Sequence, residues 1–199
     1  MTMKHKWVFA SSVLVWVLLV GAGETFLLQY SSTPALQMTA PALWPEGSQI
    51  AKNTKLPLLL LFVHPKCPCS RATVGELSKI MTHSQGKVSA YVLFAKPEGV
   101  SEKWLKSDLW KNASRIPGVQ VLEDPNGFEA KRFHSLTSGQ TLLYDAKGRL
   151  LFEGGITAAR GHFGDNQGSE TIKQLIQGNA VKGRSHFKVF GCALFNHNE

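Results

Sequence analysis

Two cysteines separated by a single proline carry the most specific chemical signal in the sequence. Cys67 and Cys69 follow an apolar run at residues 58–63, which is typical of a strand buried on both faces of a sheet. A helical pattern begins directly after them, so the N–H groups and dipole at the helix start should stabilise a thiolate. Lys66 and Arg71 add positive charge in the same direction. Such a thiolate attacks disulfides or binds soft metals, whereas cysteines in other settings are usually buried apolar residues or a static bridge.

A third cysteine, Cys192, lies near the end of the sequence in the setting Phe190-Gly191-Cys192. An odd cysteine needs an explanation, and this segment is expected to be flexible enough to fold back over the pair. Three roles stay open, in order of preference: a resolving thiol, a third metal ligand, and an idle or lipid-facing residue. The leading hypothesis is thiol–disulfide exchange without a cofactor, with Cys67 as attacking thiolate, Cys69 as its near partner and Cys192 as third member.

Metal binding by the same sulfurs is the main alternative. His64 lies three residues before Cys67, and together with Cys69 and Cys192 it would form a soft nitrogen and sulfur set suited to copper(I) or zinc. His162 is a further candidate for this set. No CxxC or HxxxH spacing supports a metal site, and a lone histidine after a strand is more often a surface or hydrogen-bonded residue. A copper-handling protein is therefore the chief alternative to an exchange enzyme, and a non-catalytic binding domain is a weaker one.

A glycine-rich polar stretch at residues 154–168 supplies secondary candidates. It contains Arg160, His162 and Asp165 in what should be a loop between the last strand and the last helix, and polar loops of this kind often carry function. Its glycines do not follow a strand in GxGxxG spacing, which excludes a dinucleotide site. Asp165 and Asn166 also suit a simple turn and helix cap.

The elements that must position these residues alternate along residues 55–178. Short apolar runs predict strands, helical spacing of apolar residues predicts the segments between them, and Asp145 to Gly148 form a turn between two antiparallel strands. This order describes an α/β three-layer domain. The predicted strands are 58–63, 88–94, 119–122, 141–144 and 150–153, and the predicted helices are 70–86, 101–113, 128–133 and 169–177.

The N-terminus indicates insertion into a membrane. Lys4 and Lys6 precede an uncharged apolar run at residues 7–23, and a run of this length is at the lower limit for a helix that spans a bilayer. Positive residues before the run place the N-terminus in the cytoplasm. An uncleaved anchor over residues 1–29 is favoured over a cleaved signal peptide. Residues 30–54 are expected to be a linker, and residues 179–199 a tail that carries Cys192.

The overall charge gives little evidence about partners. The chain has 22 Lys and Arg against 14 Asp and Glu, for a formal net charge of +8, but the basic residues are scattered along the sequence. No block or stripe of basic residues supports nucleic acid binding. The expected partners are a protein thiol or disulfide and, through the N-terminal helix, the membrane.

The stretch at residues 59–71 resembles the strand, redox loop and helix start of the thioredoxin superfamily, especially its membrane-tethered TlpA-like members, with one residue missing between the cysteines. Residues 139–150 resemble the second landmark of that superfamily, where a cis-proline precedes a strand and hairpin. Gly139 stands at the position of that proline. Residues 58–194 as a whole look most like the bacterial RedB-like proteins, including the glycine-rich loop and the terminal Phe190-Gly191-Cys192.

This resemblance implies a thioredoxin-like fold with a central mixed β-sheet, preceded by one transmembrane helix. It also implies a protein of the bacterial inner membrane with its domain in the periplasm. Its partner would be a secreted or membrane protein whose thiols exchange with Cys67 and Cys69. The glycine at position 139 removes the proline platform on which the superfamily docks the extended chain of a substrate.

Overall fold

A computed structural model describes residues 3–179 and 185–195 of the chain. The chain divides into two units, Met1–Thr33 and Pro34–Glu199. The first contains helix α1, Met3–Ser32, whose described side chains are nearly all exposed. Within it, His5–Ser32 has a mean hydropathy of 1.8, and it is long and apolar enough to cross a bilayer. The predicted N-terminal apolar helix is therefore present and runs to Ser32.

A six-stranded mixed sheet forms the centre of the second unit, in the order β3-β2-β1-β4-β5-β6. Strand β1 pairs in parallel with β2, as β2 does with β3, whereas β4 is antiparallel to both β1 and β5. The short β6 adds to β5 in parallel. The strands are β1 Leu58–Val63, β2 Ser89–Lys96, β3 Val119–Pro125, β4 Thr141–Tyr144, β5 Leu150–Gly154 and β6 Ser185–His186. The mixed sheet is confirmed, and β6 was not predicted.

Helices cover both faces of the sheet because the central strand is apolar on both sides. All six side chains of β1 are buried; Leu59 and Leu61 face one core, and Leu58 and Leu60 the other. Side chains of α2, α4 and α6 fill the first core, and Ala130 of α5 lies in the second. The three-layer architecture is thus confirmed. The helices are α2 Ser70–His83, α3 Glu102–Leu105, α4 Asp108–Ser114, α5 Phe128–Arg132 and α6 Gln167–Ile176.

The single helix predicted over residues 101–113 is two short helices. Ser101 caps α3 through its side chain, and Ser107 adopts an extended backbone conformation before α4 begins. Between them Lys106 leaves the helical region at a ψ of 52°. The apolar spacing is the same in one helix or two, so only these local serine residues mark the break.

Residues 34–54, predicted as a spacer, belong to the folded unit instead. Ala40 and Ile50 are buried in the second core, and Trp44 packs edge-on against Tyr144 with ring centroids 5.2 Å apart. The hydroxyl of Tyr144 donates to the carbonyl of Pro41 at 2.9 Å. The apolar residues of this segment are buried singly and without periodicity, so the sequence pattern could not show that they pack.

The C-terminal segment also belongs to the domain and is held along its length. The N–H of Phe187 donates to the carbonyl of Glu153 at 3.0 Å, and the N–H of Leu194 to that of Leu136 at 2.9 Å. Thr137 and Ala193 form an antiparallel bridge. The predicted tail over 179–199 is thus an ordered strap at residues 185–195, while residues 180–184 and 196–199 lie outside the described ranges. Cys192 is fixed by this strap.

Candidate functional site

The cysteine pair lies in a tight turn between β1 and α2. The N–H of Cys67 donates to the carbonyl of His64 at 3.0 Å, and the N–H of Ser70 donates to the carbonyl of Cys67 at 3.2 Å. Cys69 is the N-cap of α2, and it caps without a side-chain hydrogen bond. Cys67 is buried and Cys69 is half-buried, and both are unpaired thiols. The strand-to-helix position predicted for the pair is the observed one.

Cys192 meets Cys67 in space. The strap places Cys192 beside Ser138, whose N–H donates to the carbonyl of Cys192 at 2.8 Å. Both the backbone and the side chain of Cys192 form hydrogen bonds to Cys67. The structure therefore brings together three unpaired thiols from two distant parts of the chain.

The three thiols differ in acidity. Burial alone would raise the pKa of Cys67, but hydrogen bonds from the side chains and backbones of Cys192 and Ser70 lower it below its ordinary value. Burial and the charge of Cys67 raise the pKa of Cys69, and the Arg160 guanidinium only partly opposes them. Burial, followed by its interactions with Cys67, raises the pKa of Cys192 to about 12. Cys67 is therefore the most acidic of the three thiols.

Two buried serines extend this hydrogen-bond network, and sequence reasoning missed their role. The hydroxyl of Ser70 forms a hydrogen bond to Cys67 that lowers the pKa of that thiol. The same hydroxyl lies 2.7 Å from the hydroxyl of Ser138. The Ser138 hydroxyl accepts from the N–H of His64 at 2.7 Å, so its proton is available to Ser70. Ser70 is the first residue of α2, and Cys69 is the N-cap of that helix. The position of Ser70 directly after the cysteine pair was the only feature of the sequence that could have indicated its role. No feature of the sequence indicated a role for Ser138.

Gly139 lies directly beside this network but has no proline-like geometry. Its φ is +96°, and its N–H donates to the carbonyl of Phe62 at 2.8 Å. Proline has φ near −65° and no N–H, so it could not replace Gly139 in this conformation. A Cβ at this position would lie 3.2 Å from Oγ1 of Thr73, at the start of α2. Among the described residues the backbone has no cis peptide bond.

Of the three polar loop candidates, only Arg160 reaches the thiols. Its guanidinium donates to the carbonyl of Gly191, directly before Cys192, and its charge acts on both Cys69 and Cys192. His162 and Asp165 are exposed on the same loop and take no part in the thiol network. Asn166 caps α6 by accepting from the N–H of Ser169 at 2.8 Å, as the simpler interpretation of this stretch expected.

A buried carboxylate holds that loop against α2. Glu76 is 2% exposed and accepts from the N–H of Gly164 at 3.0 Å and from the amide of Asn166 at 3.4 Å. Lys79 also contacts it, at 3.0 Å. Because Arg160 lies on the same loop, Glu76 helps to position the guanidinium beside the thiols.

His64 is adjacent to the site, but its ring makes other contacts. Its Nδ1 lies 3.2 Å from the N–H of Lys66, and its ring packs edge-on against Trp104. Burial and the charge of Lys66 lower the pKa of His64. Within residues 3–179 and 185–195, no group of three or more His, Cys, Asp or Glu side chains is arranged to hold a metal ion. The ring of His64 is thus engaged with Lys66 and Trp104.

Comparison with known proteins places the fold. No protein-family model and no curated protein matches the chain. An uncharacterized conserved protein from Geobacillus kaustophilus matches with a TM-score of 0.59 and 18% identity, over 85% of this chain and 96% of that one. A SCO1/SenC family lipoprotein from Bacillus anthracis str. Ames matches with a TM-score of 0.50 and 11% identity, over 73% and 100%. An exposed lipoprotein thioredoxin from Streptococcus pneumoniae strain TIGR4 matches with a TM-score of 0.45 and 14% identity, over 70% and 98%.

At these identities the likeness concerns the fold. The order of strands, the parallel β1–β2 unit that carries the cysteines before α2, and the antiparallel hairpin of β4 and β5 agree with it. The second unit of the chain has a thioredoxin-like fold.

Proposed function

We propose that this protein is a thiol–disulfide oxidoreductase in which Cys67 is the attacking thiolate and Cys192 the resolving thiol. The observation that carries the proposal is the convergence of hydrogen bonds from Cys192 and Ser70 on the sulfur of Cys67. Hydrogen bonds to a thiolate stabilise the nucleophilic form, and a second thiol in contact can complete the exchange. The three unpaired thiols supply both groups.

The proposed reaction transfers two electrons to a partner disulfide. The Cys67 thiolate attacks one sulfur of that disulfide, the partner S–S bond breaks, and the departing partner thiolate takes a proton. In the mixed disulfide the sulfur of Cys67 carries no negative charge. The charge of Cys67 is one cause of the raised pKa of Cys192, so that pKa falls when the mixed disulfide forms. Cys192 can now lose its proton and attack the sulfur of Cys67. This forms the Cys67–Cys192 disulfide and releases the second partner thiolate.

Cys192 is favoured over Cys69 for the second step by its contacts. Its backbone and side chain both form hydrogen bonds to Cys67, whereas Cys69 forms only a side-chain hydrogen bond to it. A bond between Cys67 and Cys69 would close a much tighter ring, and strained disulfides are the more oxidising ones. Cys69 nevertheless forms a hydrogen bond to Cys67 and stays the near partner in an alternative closure.

Serine variants of the three cysteines test the proposal, and each variant serves as a control for the other two. Full-length protein in nonionic micelles is reacted with a model protein disulfide, quenched by alkylation, and mapped by mass spectrometry. We expect Cys67→Ser to abolish reduction and Cys192→Ser to accumulate the mixed disulfide on Cys67. Cys69→Ser should still close the Cys67–Cys192 bond. Full activity of Cys67→Ser would contradict the enzyme proposal, and a Cys67–Cys69 bond as the main product would assign the second step to Cys69.

Copper handling by Cys67, Cys69, Cys192 and His64 is the second candidate function. The closeness of three thiols favours it, because soft sulfur ligands select copper(I). The side-chain arrangement supports copper handling less than thiol exchange, because the His64 ring contacts Lys66 and Trp104. A chelator-competition titration with copper(I) tests it directly. Stoichiometric binding by the reduced protein that is lost in both Cys67→Ser and Cys192→Ser is expected for a copper protein, and no binding at all would exclude it.

The cellular placement is part of the proposal. We infer that α1 anchors the protein in a bacterial inner membrane with its N-terminus in the cytoplasm and the thiol domain in the periplasm, as in the RedB-like proteins that the sequence resembles. The apolar length of His5–Ser32 and the lysines before its apolar core support this orientation. Protease added outside spheroplasts should digest the domain, and protection of the domain would contradict the orientation.

A further inference from the structure

A basic groove opens beside the attacking thiol. One wall is formed by residues 65–68 with Arg71, and the other by residues from the segment 103–111 of α3 and α4. The hydroxyl of Ser107 donates to the carbonyl of Pro65 at 3.4 Å and ties the two walls together. The cavity measures about 460 Å³, which lies within the usual range of ligand sites. Cys67 is one of its lining residues, so an occupant would lie next to the attacking thiol.

The charges along this basic groove are unbalanced. Its five basic side chains are all exposed, and Asp108 is its single acidic lining residue. Two of the five are paired, Lys111 with Asp108 at 3.8 Å and Lys106 with Glu102 at 2.8 Å. The other three have no carboxylate partner in the described part of the chain, although the ammonium of one lies 5.9 Å from the ring of Trp104. These three are Lys66, Arg71 and Lys103.

We propose that the basic groove binds an acidic segment of the partner polypeptide, next to the disulfide that Cys67 attacks. This rests on the proposed exchange function and adds the chemistry of its substrate. Lys66 and Arg71 lie on the cysteine wall and Lys103 on the opposite wall, so the excess charge spans the groove. A run of several carboxylates matches this distribution better than one anionic group. Opposite charge at a binding cleft accelerates encounter and selects the partner more than it strengthens binding.

Disulfide-linked peptides that differ only in charge provide the test. Three short peptide dimers carry Asp and Glu, Asn and Gln, or Lys and Arg around the same cysteine, and oxidised glutathione serves as a small anionic disulfide. The second-order rate of their reduction by full-length protein in nonionic micelles is measured in single turnover at low and high salt. We expect the acidic peptide to react about tenfold faster than the neutral one at low salt, with the difference shrinking as salt rises.

Charge reversal locates the effect. Lys103→Glu should remove most of the acidic preference by slowing the acidic peptide far more than the neutral one. Lys87→Glu is the matched control, because Lys87 is exposed and precedes β2 at the opposite end of the sheet from the cysteines. It changes net charge equally and should keep the preference. Equal rates for the three peptides, or equal loss in both variants, would overturn the proposal.

Two further outcomes distinguish an acidic polypeptide from a small anionic substrate, and failure of this proposal from failure of the exchange function. A faster reaction with oxidised glutathione than with the acidic peptide, still dependent on Lys103, would replace the polypeptide by a small anionic disulfide and refute the proposal. If no disulfide is reduced, the exchange function fails, and the groove is judged by binding alone. For that, a fluorescent acidic peptide with serine in place of cysteine is titrated by anisotropy. Salt-sensitive binding that Lys103→Glu weakens would support the proposal that the basic groove binds an acidic segment. Absence of binding would refute that proposal.

Discussion

Alanine in place of Ser70 should make Cys67 a much weaker acid. The Ser70 side chain is 1% exposed, and its hydroxyl forms a hydrogen bond to Cys67 that water cannot readily replace. A hydrogen bond to a charged group contributes about 1.5–3 kcal/mol, and about 1.4 kcal/mol corresponds to a tenfold change in an equilibrium. The backbone of Ser70 and both groups of Cys192 also act on the sulfur, so the lower figure applies. The thiolate fraction at a pH below the pKa should fall about tenfold.

Alkylation measures that fraction. Full-length protein in nonionic micelles is treated with iodoacetamide across a pH series, and modification of the Cys67 peptide is followed by mass spectrometry. The midpoint of the profile should move to higher pH in Ser70→Ala, and the rate at neutral pH should fall about tenfold. Ser138→Ala should move it less, since Ser138 acts through Ser70. Ser78→Ala, a half-buried position on the same helix, is the matched control and should leave the profile unchanged.

A particular result would refute this reasoning. If Ser70→Ala lowers the rate equally at every pH and the midpoint stays in place, the substitution has changed access to the sulfur and not its acidity. The thiolate would then owe its stability to Cys192 or to the helix start. The midpoint in Cys192→Ser distinguishes these two causes.

Three further outcomes follow from the same contacts. Unfolded chains lose the Cys192 proton near the ordinary pKa of 9.0, whereas the folded protein holds it to about 12, so stability should fall as pH rises between these values. Urea unfolding should show a shallower fall in Cys192→Ser, and identical slopes would contradict the raised pKa. Glu76→Leu leaves the N–H of Gly164 without its acceptor and should cost about 1–3 kcal/mol in urea unfolding, while Lys79→Ala, which removes only a half-exposed partner, should cost far less. Gly139→Ala forces a side chain into φ +96° and should cost about 1–3 kcal/mol, and a wild-type midpoint would show that the loop relaxes freely.

The sequence predicts the sheet and the cysteine turn well because their signals are local. The run at residues 58–63 is apolar at every position, and a short run of this kind between turn residues is typical of a strand buried on both faces. The hairpin of β4 and β5 has its own turn residues at Asp145 to Gly148. The position of Cys67 and Cys69 between β1 and α2 follows from these elements alone.

The remaining parts depend on contacts between distant residues. Trp44 is half-buried and packs against Tyr144 and Phe133, which follow it by about a hundred residues, and nothing near Trp44 in sequence indicates this. The strap that carries Cys192 is fixed by single backbone hydrogen bonds, such as that of Leu194 with Leu136, which any residue can form. Ser138 is one serine among many until the fold brings it to Ser70. The thiol pair was therefore predictable and Cys192 was a candidate for contact with it, whereas the contacts that fix Cys192 and the role of Ser138 were not predictable.

The strap also connects formation of a Cys67–Cys192 disulfide to the stability of the whole domain. Strands β2 to β6 all lie between Cys67 and Cys192 in the chain, so a bond between these sulfurs would enclose five of the six strands in one covalent ring. Closing a loop of this length restricts the unfolded chain by about 4–5 kcal/mol in the chain-entropy description. The oxidised protein would thus resist heat and urea more than the reduced one. By the same thermodynamic cycle, native packing makes this bond harder to reduce than it would be in the unfolded chain. If this bond forms, the packing of the sheet would in this way contribute to the reducing power of the thiols.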